Sequence, residues 1–195
     1  ENLKKVFDTK NDVLILTASG TGAMEASVVN MLSPVDVVLA VSIGEFGDRL
    51  AEIAQAYGAS VVRLSFTMGT AADPEAIRKA LKENPAIKAV LITHNETSTG
   101  ITNDMATISR VVKEFDKLLV VDGISSISSI PFHNDLWGCD VAMSGSQKGY
   151  MVPPGLAFVS VSPRAWEAFK AAKMPRFYWD FGRAKSYLQR GQTPW

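Results

Sequence analysis

The sequence predicts an α/β fold, a three-layer α/β/α arrangement around a mainly parallel sheet of roughly seven strands. Short β-branched runs alternate with amphipathic stretches along almost the whole chain. The runs are nearly continuous in apolar residues, the pattern of strands covered on both faces. At 195 residues, 47% of them hydrophobic, the chain can bury a sizeable core as one domain.

Asp12–Thr17 (DVLILT) is the first expected strand, and a Gly-rich turn leads into a helix from about Gly22 to Leu32. Ser33-Pro34 ends that helix, and Val35–Val41 (VDVVLAV) forms the second strand. Phe46, Leu50, Ile53 and Tyr57 are spaced to share one face of the next helix, with Gly58 as its C-terminal cap. Ser60–Ser65 is the third strand. Asp73-Pro74 pairs an N-cap with a proline at the first helical position, opening a helix to about Glu83. Ile87–Thr93 is the fourth strand, followed by a long polar loop at His94–Asp104. A helix through Ile108, Val111, Val112 and Phe115 precedes a fifth strand at Lys117–Val121. Val141–Met143 and Leu156–Ser160 complete the count, with no helix expected between them, and Pro163–Lys173 reads as helical. From Met174 the pattern turns aromatic and basic (RFYWDFGRAKSYLQR). The expectation is therefore one large domain over 1–173 and an exit segment, rather than core, over 174–195.

Charge and composition exclude several classes. Twenty Lys+Arg balance twenty Asp+Glu, which argues against a nucleic-acid binder. The apolar content argues against disorder. No apolar run reaches the roughly 18–20 residues of a membrane-spanning helix, and Glu1–Lys10 lacks a signal-peptide pattern. The single cysteine, Cys139, removes any internal disulfide framework and points to a reducing, cytoplasmic setting. The chain starts at Glu1 and stops at Thr193-Pro194-Trp195, so it reads as trimmed at both ends.

Ligands of open α/β sheets bind outside the carboxyl ends of the strands. Four polar clusters follow successive strands: Ser19-Gly20-Thr21-Gly22, His94–Gly100 (HNETSTG), Asp122-Gly123, and Ser144–Gly149 (SGSQKG). The first offers free N–H groups and a helix dipole to a phosphate, although a tight turn needing glycines fits it equally. It matches neither the P-loop nor the full dinucleotide spacing. Asp122 closes an apolar strand, where a carboxylate needs a partner; a loop cap is the alternative. Lys148 lies among small residues beside Pro153-Pro154-Gly155, where desolvation would make its amine nucleophilic; an exposed loop lysine is the alternative. Together, a phosphate anchor, an aspartate, a lysine and a flat hydrophobe such as Phe46 are what pyridoxal 5′-phosphate (PLP) requires. The aspartate keeps its pyridine nitrogen protonated and an aromatic covers its face.

In order, SGTGAMEA, IGEFGDR, HNETSTG, VVDGISS and SGSQKGYMVPPGLAF resemble the class V aminotransferases, fold type I PLP enzymes, and most of all their alanine–glyoxylate and serine–glyoxylate (serine–pyruvate) branch. The resemblance runs from Leu14 to about Trp195. It implies a phosphate site at Thr21, Gly22 and the backbone of Ala23, where some members carry His. It implies Phe46 as the stacking aromatic and Ile124 on the opposite ring face. Thr97 would stand near the phenolic oxygen, Asp122 at the pyridine nitrogen and Gln147 near the phosphate, with Lys148 as the Schiff-base lysine. It further implies a homodimer acting on small amino acids and 2-oxo acids such as glyoxylate or pyruvate, with Lys148 moving the Cα proton.

Two other readings stand beside it. A cysteine desulfurase would need a mobile-loop cysteine and typically His before the lysine, whereas this chain has Cys139 ahead of a strand and Gln147. A truncated, non-catalytic PLP-binding module is the other, since no arginine here can be assigned to the substrate carboxylate; Arg183 and Arg190 read as solvated charges. His94 and His133 lack ligand-spaced partners, so no metal site is expected. Phe177, Tyr178, Trp179 and Phe181 read as packing beneath a further C-terminal domain.

Overall fold

The computed structural model describes residues 1–195. The chain runs α1 (Asn2–Phe7), β1 (Asp12–Thr17), α2 (Gly20–Met31), β2 (Val37–Ser42), α3 (Glu45–Ala56), β3 (Ser60–Ser65), α4 (Pro74–Glu83) and β4 (Ile87–Thr93). A two-residue hairpin follows, β5 (Asn95–Glu96) with β6 (Ile101–Thr102). Then come α5 (Met105–Glu114), β7 (Leu118–Asp122), α6 (Asn134–Trp137), β8 (Val141–Gly145), β9 (Leu156–Val161), α7 (Pro163–Ala171) and α8 (Phe181–Leu188). No helix is long and apolar enough to cross a membrane.

Seven strands form one sheet in the order β1-β9-β8-β7-β4-β2-β3. Only β9 runs against its neighbours; β8, β7, β4, β2 and β3 pair in parallel. The expected α/β/α sheet is therefore present, and β8 and β9 are joined without a helix. Alternate strand residues feed opposite cores. Ala89, Leu91, Leu118 and Val120 face a layer containing α2, α3, α7 and α8. Val90, Ile92, Leu119 and Val121 face α1, α4, α5 and α6. Both faces are covered, which is why the strands read as continuous apolar runs.

Three expectations change. The second strand begins at Val37, not Val35: Val35 has φ 66° and is 80% exposed, because Asp36 closes a turn by accepting the Ser33 N–H at 2.7 Å. The loop at 94–104 contains the β5–β6 hairpin. The segment 174–195, expected to lie outside the core, enters it: Met174, Phe181 and Ala184 are buried there. Buried Asn30 hooks it, donating to the Trp179 carbonyl at 2.6 Å and accepting the Phe181 N–H at 3.0 Å.

Candidate active site

Because β1, β2, β4, β7 and β8 point the same way, their following loops gather along one edge of the sheet. This is where an open α/β sheet binds ligands. All four polar clusters lie on this carboxyl edge.

Asp122 ends β7 and is 3% exposed. Its Oδ1 accepts the Ile124 N–H at 2.9 Å, and its Oδ2 has only a 3.5 Å contact from the Thr93 hydroxyl. Burial pushes its pKa up to about 7; the Ile124 N–H opposes the rise, the Glu96 charge adds to it, and the Lys148 charge opposes it. No ion pair reaches Asp122; its carboxylate is buried without a bound cation. A cationic or proton-donating group is the partner such a carboxylate lacks.

Lys148 sits in the loop between β8 and β9. Ser146 closes that loop: its hydroxyl donates to the Pro153 carbonyl at 2.7 Å and accepts the Leu156 N–H at 3.3 Å. The Lys148 N–H donates to Gly145 at 3.2 Å, and its half-buried side chain makes no hydrogen bond or ion pair. Its amine is thus uncommitted while its charge reaches Asp122. Gln147 is exposed, with Oε1 folded back over Gly145.

At the end of β1, Ser19 caps α2 by accepting the Gly22 N–H at 3.3 Å. The Ala23 N–H is committed to the Ser19 carbonyl at 3.1 Å, so the donors without an internal acceptor are those of Gly20 and Thr21. Those N–H groups, the long Gly22 bond and the half-buried Thr21 hydroxyl leave donors of the kind an anion takes at a helix start. Ile124 borders it: a Cβ on Gly20 would lie 2.7 Å from Ile124 Cδ1, so only glycine lets the helix start approach the end of β7. Ile124 thereby joins the start of α2 to the Asp122 loop.

Phe46 lies in the first turn of α3, half-buried, with the Arg49 guanidinium 4.6 Å from its ring centroid. Thr97 is exposed on the β5–β6 turn. Glu96, beside it, is fully buried, with both oxygens accepting hydrogen bonds from two separate loops. Its importance was not legible in the sequence beyond its place in HNETSTG, because half of its donors are backbone groups about fifty residues away.

His94 faces away from this edge chemistry. Its ring packs at 5.5 Å on Phe132 and 5.1 Å on Trp137, and burial lowers its pKa to about 4. Its imidazole is a packing group rather than part of the carboxyl-edge cluster. An apolar hollow of about 600 Å³ lies at the opposite edge, between Asp12, Trp166, Phe169 and Lys185. Among its charges, Lys185 pairs with Asp12 at 2.9 Å and Lys170 with Glu167 at 2.7 Å, and none of the four polar clusters lines it.

The family model for Aminotransferase class-V matches residues 1–188. A protein named soluble hydrogenase 42 kDa subunit, from Anabaena cylindrica, is 47% identical over all of this chain and 51% of its own length. An L-aspartate–glyoxylate aminotransferase from Paracoccus denitrificans is 40% identical over 98% of this chain and 50% of its own length. The solved aspartate aminotransferase of subgroup IV from Thermus thermophilus superposes with a TM-score of 0.91 at 38% identity, covering 99% of this chain and 54% of that one. The chain spans about half the length of the curated relatives it matches. Its fold, its carboxyl-edge constellation and these matches agree: the chain belongs to the class-V aminotransferase family.

Proposed function

We propose that this chain is the cofactor-binding part of a PLP-dependent transaminase. It would move an amino group from a small amino acid of the alanine or serine type to a 2-oxo acid such as glyoxylate or pyruvate. The observation that carries the reading is Asp122, a buried carboxylate with no cationic partner, beside an uncommitted lysine amine. The relatives named as glyoxylate aminotransferases support the substrate class.

The residues divide the work. Thr21 and the N–H groups at the start of α2, Gly22 among them, hold the phosphate, with Ala23 completing the turn and Gln147 reaching it from the lysine loop. Phe46 covers one ring face and Ile124 the other, and Thr97 approaches from the hairpin. Asp122 keeps a proton on the pyridine nitrogen, which in turn gives its own carboxylate a cationic partner. When bound, PLP supplies the electron sink that lets an amino acid's Cα–H bond break. Lys148 would hold the cofactor covalently, and its amine would accept and return the substrate's Cα proton. We further propose a cytoplasmic homodimer, consistent with the single reduced cysteine and the family resemblance.

Incubation with PLP, alanine or serine and glyoxylate tests this. The chain should develop visible absorbance and form glycine, and Lys148→Ala should do neither. Absence of any PLP uptake would overturn the proposal. Uptake without transfer from either donor would favour a non-catalytic PLP-binding module. Sulfide release from cysteine is not expected: Cys139 is 2% exposed, and burial drives its thiol far above its ordinary pKa.

A further inference from the structure

We infer that Glu96 is the positioning residue for Phe46, holding the first turn of α3 and the β5–β6 turn together so that the ring and Thr97 meet at one place. The inference rests on reading Phe46 as the ring that covers PLP.

Six helices have eight residues or more, and five carry their own side-chain cap: Ser19, Asp73, Asp104, Ser162 and Asp180. Only α3 begins without one, at Gly44. The N–H groups of its first turn still need acceptors. Glu96 supplies them: Oε2 accepts from Phe46 at 3.0 Å and from Gly47 at 3.1 Å. Its Oε1 accepts from the Ser98 N–H at 3.1 Å and the Ser98 hydroxyl at 2.7 Å. One carboxylate therefore satisfies four donors and lies at the positive end of the helix dipole. A cap on α3 itself would stabilise the helix equally well but would leave it free to move relative to the hairpin. The site is built for this contact. A Cβ on Gly44 would stand 2.7 Å from Glu96 Cγ and 2.6 Å from Ser98 Oγ, so only glycine at that position admits the side chain. The Phe46 N–H is itself one of the donors, which ties the carboxylate to the residue carrying the ring.

Glu96→Gln is the test, because an amide keeps the size but only one acceptor oxygen, so that either the Phe46 and Gly47 N–H groups or the Ser98 N–H must face a donor. Backbone amide exchange in the PLP-free chain should show either Phe46 and Gly47 or Ser98 losing protection by roughly 5- to 30-fold, the range of one or two lost net hydrogen bonds. Ala80 in α4 and Val111 in α5 should keep theirs. The variant should bind PLP correspondingly more weakly. Unchanged protection at all three amides, Phe46, Gly47 and Ser98, would overturn the inference, and so would weaker PLP binding with protection intact. If neither protein takes up PLP, the functional reading fails while the amide result still decides the role of Glu96. Should Glu96→Gln fail to fold, the wild-type chain gives the answer. Phe46 and Gly47 amides protected like Leu50 support the clamp, and amides exchanging as fast as those of an uncapped helix start contradict it.

Discussion

Two buried aspartates on neighbouring strands show how the edges of this sheet differ. Asp140, just before β8 at the amino edge, is 6% exposed, and its oxygens accept the Leu119 N–H and the Ser162 hydroxyl, both at 2.9 Å. Asp122, at the carboxyl edge, has one bond of that quality and a long contact, and it faces Glu96. Burial raises the pKa of both, with hydrogen bonds and nearby cations opposing at Asp140. The amino edge satisfies these groups internally: the Asp135 carboxylate accepts from the Thr9 hydroxyl and the Lys10 backbone N–H, His133 Nδ1 lies 2.9 Å from Asp8, and Lys185 pairs with Asp12. The carboxyl edge leaves a carboxylate, an amine and helix N–H groups uncommitted. A carboxylate, an amine and helix N–H groups left open beside one another are what a binding site requires.

The largest effect should come from Lys148→Ala, which removes the covalent anchor and proton carrier. Amino transfer should fall by at least roughly 10²–10⁴-fold, while urea unfolding of the PLP-free chain stays near wild type.

The aspartate pair separates next. Asp122 binds its proton more tightly folded than unfolded, so between about pH 4 and its folded value of about 7 the native state holds more protons and stability falls as pH rises. Without PLP, Asp122→Asn should therefore stabilise the chain in urea at pH 8 by a few kcal/mol, at about 1.4 kcal/mol per pKa unit. Asp140→Ala should instead cost about 1–3 kcal/mol, because it removes both acceptor oxygens and strands the buried Leu119 N–H. Equal signs for the two substitutions would break the contrast.

His94 gives a smaller effect of opposite slope. Its pKa is lowered from 6.5 to about 4, so the unfolded chain binds more protons in that window and stability falls as pH drops through it. His94→Phe should flatten that part of the urea stability profile by about 1–3 kcal/mol. Smallest of all, Phe46→Ala should weaken PLP binding by about 0.5–1.5 kcal/mol, read by cofactor titration, with no change in the Asp122 titration.

The central strands and α4 were legible because their signals are local: apolar runs of strand length, and Asp73-Pro74 placed where a helix begins. Asp122 and Lys148 were legible for a related reason, since a charged residue closing an apolar strand or set among small residues stands out by sequence context alone. What escaped depends on distant partners. Glu96 acquires its role from amides at Phe46 and Gly47. The packing of 174–195 depends on Asn30, whose side chain bridges about 150 residues of chain. The resemblance implied a phosphate contact from the Ala23 backbone, but its N–H is spent on the Ser19 carbonyl, a detail set by where α2 begins.

Borohydride reduction of the PLP-treated chain followed by peptide mapping is the decisive measurement. A single pyridoxyl mark on the peptide containing Lys148, lost in Lys148→Ala and reduced in Asp122→Asn, is the predicted result. A mark spread over surface lysines such as Lys79 and Lys170, or a Lys148 peptide left unmodified, would contradict the assignment of the carboxyl edge as the PLP site.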